Sequence, residues 1–153
     1  DMTVDDSLVF FTKQPLILNK LYPLQEVGLG YVRLGQSSNS LSGGEAQRVK
    51  LAAYLSKGKH HKRTLFIFDE PTTGLHVHDI HKLLKAINAL IAEGNSVLVI
   101  EHNMEVIKCA DWLIDLGPEG GERGGEVTFK GTPETMTQLE DNHTAQYLKE
   151  KLR

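Results

Sequence analysis

The sequence predicts an α/β fold: a partial helical subdomain over residues 1–57, then a mostly parallel sheet flanked by helices over residues 58–153. Two observations carry this. Leu65-Phe66-Ile67-Phe68 and Val97-Leu98-Val99-Ile100 are short apolar runs rich in aromatic or β-branched residues, separated by a helical stretch from about His78 to Ala92. Runs apolar on both faces and joined through a helix read as buried parallel strands of a βαβ unit. Ahead of them the texture is helical, broken by Gly28, Gly30 and Gly35.

The elements follow in order. Thr3, three residues before Asp6, caps a short helix through Phe11, and Pro15 suits the first turn of a second helix to about Val27. Ser42-Gly43-Gly44-Glu45 is a capping box that opens a helix to about Ser56. After the second apolar run come a helix from Met104 to Ala110 and a strand from Trp112 to Leu116. Gly120-Gly121 and Gly124-Gly125 bracket a turn before a strand at Glu126 to Lys130. Helices at Pro133 to Leu139 and Thr144 to Leu152 finish the chain.

The 153 residues are 40% hydrophobic and 24% charged, enough to bury a core without a disulfide or metal staple. Cys109 is the single cysteine, so there is no internal disulfide and no Cys-x-x-Cys zinc pair, which suits a reducing cytoplasm. A net charge of -3 leaves no overall electrostatic footprint for nucleic acid. The apolar runs fall far short of the roughly 20 residues that span a bilayer, and no secretory signal opens the chain.

Three motifs carry chemistry. In Leu41-Ser42-Gly43-Gly44-Glu45-Ala46-Gln47-Arg48, two glycines at a helix mouth let a ligand approach the backbone, and unpaired amides with the helix dipole favour a phosphate. Ser42 adds a hydroxyl donor there, and an ordinary capped helix is the plainer reading. At the end of Leu65-Phe66-Ile67-Phe68-Asp69-Glu70-Pro71, Asp69 can hold Mg2+ and Glu70 can orient and activate a water for attack on a phosphoryl group. A solvated acidic turn is the alternative. His102, after the next strand, can reach a terminal phosphate and the attacking water, or serve only as a surface residue.

In that order these motifs resemble the ABC ATPase superfamily: Leu41 to Arg48 its signature motif, Leu65 to Glu70 its Walker B strand and His102 its switch histidine. The likeness narrows to the UvrA group through Gly28-Leu29-Gly30-Tyr31-Val32-Arg33-Leu34-Gly35-Gln36, Glu70-Pro71-Thr72-Thr73-Gly74-Leu75-His76, Ile114-Asp115-Leu116-Gly117-Pro118-Glu119-Gly120-Gly121 and Gly131-Thr132-Pro133-Glu134. The order matches the C-terminal nucleotide-binding half of that group. His76 departs from the Ser-Ala-Leu-Asp that transport ATPases carry in this loop.

The resemblance implies a P-loop NTPase fold and ATP with Mg2+ at composite sites. Ser42, Gly43, Gly44 and Glu45 would serve a nucleotide held by the opposing half; Asp69, Glu70 and His102 would serve this half's own. It further implies damaged double-stranded DNA, a UvrA homodimer and UvrB as partners in nucleotide excision repair. The sequence contains no Gly-x-x-x-x-Gly-Lys-Ser/Thr. The Walker A loop, the Q-loop and the zinc cysteines of the group therefore fall outside it, and the expectation is a fragment inactive by itself. A transporter nucleotide-binding subunit and a non-hydrolysing interaction module are the competing classes.

Weaker features have plainer readings. His76, His78 and His81 read as capping and helix-start residues before a metal cluster, and Lys57, Lys59, Lys62 and Arg63 with His60 and His61 as a solvated basic loop before a DNA contact. Cys109 and Trp112 read as buried packing residues.

Overall fold

The computed structural model describes residues 2–57, 63–119 and 124–152, in two compact units, residues 1–101 and 102–153. Most of the basic loop, Lys59 to Lys62, and Gly120-Gly121 lie outside the described residues.

The first unit starts with α1 (Val4–Phe10), closed by a Thr3 and Asp6 capping box, and α2 (Pro15–Glu26), with proline at its start. Val4, Leu8 and Leu21 bury one small core between them. Helix α3 (Gly43–Leu55) follows, then β1 (Leu65–Asp69), α4 (Val77–Ala92) and β2 (Ser96–Ile100). β1 and β2 pair in parallel from Leu65 opposite Ser96 to Asp69 opposite Ile100, the predicted βαβ unit. On α4, Ile80, Leu83, Ala86, Ile87 and Leu90 recur at helical spacing, and the last four pack with Val27, Leu29, Leu51, Ala52 and Phe68.

Both strands are buried on one face only. Phe66, Phe68, Val97 and Val99 face the core, while Leu65, Ile67, Leu98 and Ile100 are exposed. The reading of fully buried strands is corrected here. Their runs are apolar on both sides, but helices of this unit cover a single side, so alternation along the pleat leaves every second residue in solvent.

The second unit holds α5 (Met104–Ile107), β3 (Leu113–Gly117), β4 (Glu126–Gly131), α6 (Pro133–Met136) and α7 (His143–Lys151). β3 and β4 are antiparallel, so the described strands make one parallel and one antiparallel pair. Met136, Ala145 and Leu148 form the core, with Met104, Ile107, Leu113 and Phe129 against it. Asp115 joins the strands to the last helix. It accepts from Thr128 at 2.5 Å, Asn142 at 2.8 Å and Thr144 at 2.9 Å. Burial pushes its carboxyl up, yet these three bonds outweigh that and hold it below the usual range.

Two packing expectations fail in this unit. Cys109 is exposed because α5 ends after one turn and the thiol falls beyond it. Trp112 is 61% exposed: it precedes β3, and alternation puts it on the same open side as Ile114 and Leu116.

Candidate nucleotide site

Ser42 to Glu45 form the capping box that the sequence predicts. The Glu45 amide donates to Ser42 Oγ at 3.2 Å, and the Ser42 amide donates to Glu45 Oε2 at 2.7 Å. Tyr31 donates its hydroxyl to Glu45 Oε1 at 2.6 Å. That bond, with the one from the Ser42 amide, holds the Glu45 carboxyl below its usual range. Burial, reinforced by Glu45, raises the Tyr31 phenol.

The two glycines at the helix mouth differ. A Cβ on Gly43 would meet open space, which leaves its backbone approachable. A Cβ on Gly44 would lie 3.2–3.3 Å from the Thr73 and Glu70 carbonyl oxygens and Arg48 Nη1. Gly44 therefore lets α3 sit against the loop that follows β1.

That seating is fastened by two side chains one turn further along α3. Gln47 donates to the Asp69 carbonyl at 2.8 Å and accepts from the Asp69 amide at 3.0 Å, so one carboxamide grips both backbone groups of the metal-site candidate. Arg48 is fully buried and donates through Nη1 to the carbonyls of Pro71 at 2.6 Å and Thr73 at 3.2 Å, and through Nη2 to Tyr31 Oη at 3.3 Å. Burial lowers the guanidinium pKa, and Tyr31 and Glu45 counter it.

Asp69 and Glu70 stand exposed at the carboxyl end of β1, where open α/β sheets place their ligands. Glu70 has φ 46, a left-handed conformation that costs a non-glycine residue on the order of 1–3 kcal/mol and persists only where neighbours over-determine it. Its amide donates to the Ile100 carbonyl at 2.9 Å, and its carbonyl accepts from the Thr73 amide at 3.1 Å. Glu101, after β2, accepts from both the amide of Thr72 at 2.9 Å and its hydroxyl at 2.5 Å.

The structure thus gathers Ser42, Gly43, Gly44, Glu45, Asp69 and Glu70 in one unit, with His102 as the first residue of the other. His102 is exposed, immediately before Asn103, which caps α5. His76 caps α4 by accepting from the His78 amide, and no group of three metal-ligating side chains occurs among the described residues. Sequence reasoning did not single out Tyr31, Gln47, Arg48, Thr72 or Glu101. One signal was available for Arg48: it shares the inward stripe of α3 with Gly44, Leu51 and Ala52, where a charged residue is out of place unless it is held.

The chain is 59% identical to UvrABC system protein A of Agrobacterium fabrum over 152 residues, which cover 99% of this chain and 16% of that protein. The chain is similar to UvrA proteins over nearly its whole length. UvrABC system protein A of Aquifex aeolicus is 56% identical over 153 residues, again with 16% of its length covered. UvrA2 from Deinococcus radiodurans, a crystal structure, superposes with a TM-score of 0.82 at 44% identity, covering 99% of this chain and 18% of that one. A bacterial Atm1-family ABC exporter with ATP bound gives a TM-score of 0.57 at 20% identity over 99% of this chain and 26% of its own, a likeness of fold alone. No family model matches the chain. The sequence thus spans about one sixth of the UvrA proteins it resembles.

Proposed function

We propose that this chain is part of the ATP-binding and ATP-hydrolysing machinery of a UvrA-type damage-recognition protein in nucleotide excision repair. The observation that carries the reading is the seating of a glycine-mouthed, serine-capped helix against the loop after two exposed strand-end carboxylates, in a chain 56–59% identical to UvrABC system protein A. Residues 1–57 supply part of the helical signature subdomain, and residues 58–153 the Walker B strand and switch histidine of the α/β core.

Ser42 and the open backbone at Gly43 meet the terminal phosphate of ATP held by an opposing nucleotide-binding half. Asp69 and Glu70 serve the half to which they belong, and His102 is the switch histidine that the motif resemblance assigns to the same half. The exposed Asp69 carboxylate suits Mg2+, which when bound neutralises phosphate charge. Glu70 takes the proton of the attacking water. The apolar side left open by Leu65, Ile67, Leu98 and Ile100 is the one that Asp69 continues along the pleat, which supports placing the rest of the nucleotide-binding core there. The relatives are named for a UvrABC system, which supports the partners that the motif resemblance implies: the other nucleotide-binding half, a second UvrA, UvrB and damaged DNA, in the cytoplasm. No helix among the described residues is long and apolar enough to cross a membrane. Identity to UvrABC system protein A favours repair over a transporter subunit, whose likeness is limited to fold.

The test is ATP turnover and binding by the full-length protein carrying this segment. Glu70→Gln is expected to keep Mg-ATP binding and to lose turnover by about 100-fold or more, within the range set by removing a general base. The 153 residues alone are expected to show none. Turnover by Glu70→Gln near the parental rate sinks the assignment.

A further inference from the structure

We propose that Arg48 is a positioning residue for Glu70, set in place by Tyr31. The proposal rests on the reading of Glu70 as the group that activates water. Glu70 is held in a left-handed conformation at the start of a loop whose carbonyls would otherwise be free to turn. Its own carbonyl is fixed by the Thr73 amide. The next link is Arg48, whose single Nη1 gathers the carbonyls of Pro71 and Thr73 from either side of Thr72.

A cation with no carboxylate in contact is a poor choice for stability alone. Its Nε has no hydrogen-bond partner among the described residues, and an apolar side chain would fill the same stripe of α3 without that penalty. A planar fork does what an apolar group cannot: one arm, Nη1, holds two carbonyls while the other, Nη2, is anchored on Tyr31, which fixes those carbonyls relative to the helix. Tyr31 orients the fork in turn, because its hydroxyl accepts from Nη2 and donates to Glu45. An unbroken series of hydrogen bonds therefore runs from the Ser42 amide through Glu45, Tyr31 and Arg48 to the loop of Glu70. The glycine-rich run around Tyr31, to which the catalytic reading gives no task, acquires one.

The experiment measures kcat, KM for Mg-ATP, nucleotide-binding stoichiometry and melting temperature for the full-length protein with Tyr31→Phe or Arg48→Lys. Tyr31→Phe keeps the ring and removes only the bridging oxygen; Arg48→Lys keeps the charge and removes the fork. A positioning role predicts kcat lower by about 10-fold for Arg48→Lys and about 3-fold or more for Tyr31→Phe, with KM and stoichiometry near parental. A merely structural role lowers melting temperature and the binding-competent fraction and leaves kcat per competent molecule within about twofold of parental, which overturns the proposal. Where Arg48→Lys does not fold, Tyr31→Phe decides by the same criterion. Should Glu70→Gln retain turnover, the reading of Glu70 has failed and the proposal falls with it; normal kcat in Tyr31→Phe beside an inactive Glu70→Gln defeats the proposal alone.

Discussion

One hydroxyl gives Ser42 its capping job and, in the proposed site, a second. Its oxygen accepts from the Glu45 amide, which caps α3, and its hydrogen stays available to a phosphate oxygen. Two substitutions separate the jobs. Ser42→Ala is expected to lose about 1 kcal/mol of stability in urea denaturation, the usual cost of a deleted cap. Ser42→Asp keeps a capping oxygen but sets a negative charge where phosphate arrives, so it should melt like the parent and turn over ATP far more slowly in the full-length protein. Parental turnover by Ser42→Asp would remove Ser42 from the phosphate site. The capping box was legible because both partners sit within three residues, where spacing dictates geometry. Gln47 and Arg48 act on partners 22 to 25 positions away, and nothing local announces them. Cys109 and Trp112 were misread for the converse reason: small or aromatic character suggests burial, but position on the pleat or past a helix end decided it.

Among elements, α5 and α7 are joined by a charge cluster. Glu105 pairs with Lys108 at 2.5 Å and Lys151 at 2.9 Å. Hydrogen bonding first to Lys108 and then to Lys151 lowers its carboxyl to about 2. A folded-state value below the unfolded one adds stability that is present above the ordinary carboxylate range and is lost as pH falls toward about 2. Glu105→Gln should therefore melt below the parent near pH 6, and the gap should close toward about pH 2. It should narrow in high salt as well, since the cluster is partly open to solvent. A gap independent of pH would mean that the pairs contribute nothing to the fold. Each expected α-helix and strand is present near its expected place, because periods of 3.6 and 2 are local, whereas the 3-10 turn at Ser38–Ser40 was not expected. α5 and α6 are shorter than expected because each passes into a turn after its last helical residue, and the one-sided burial of β1 and β2 depends on what else is present to cover them.

For the whole molecule, the open side of the parallel pair has a measurable consequence. Leu65, Ile67, Leu98 and Ile100 are each about half exposed or more, so the isolated chain should bind an apolar dye and self-associate. Ile67→Thr with Leu98→Thr should reduce both while costing little stability, about 0.5 kcal/mol per site as for other surface changes. A loss of about 2 kcal/mol or more per site would show instead that these side chains are packed. Gln47 bears on the same sheet. Along β1, Thr64 and Glu70 bond toward β2, so alternation turns the backbone groups of Leu65, Ile67 and Asp69 to the outer edge. The carboxamide of Gln47 already occupies the last of these rungs. Another strand can add to this edge only as far as Phe68, so sheet growth halts one residue short of the acidic pair, whose backbone then meets β2 on one side and the Gln47 carboxamide on the other.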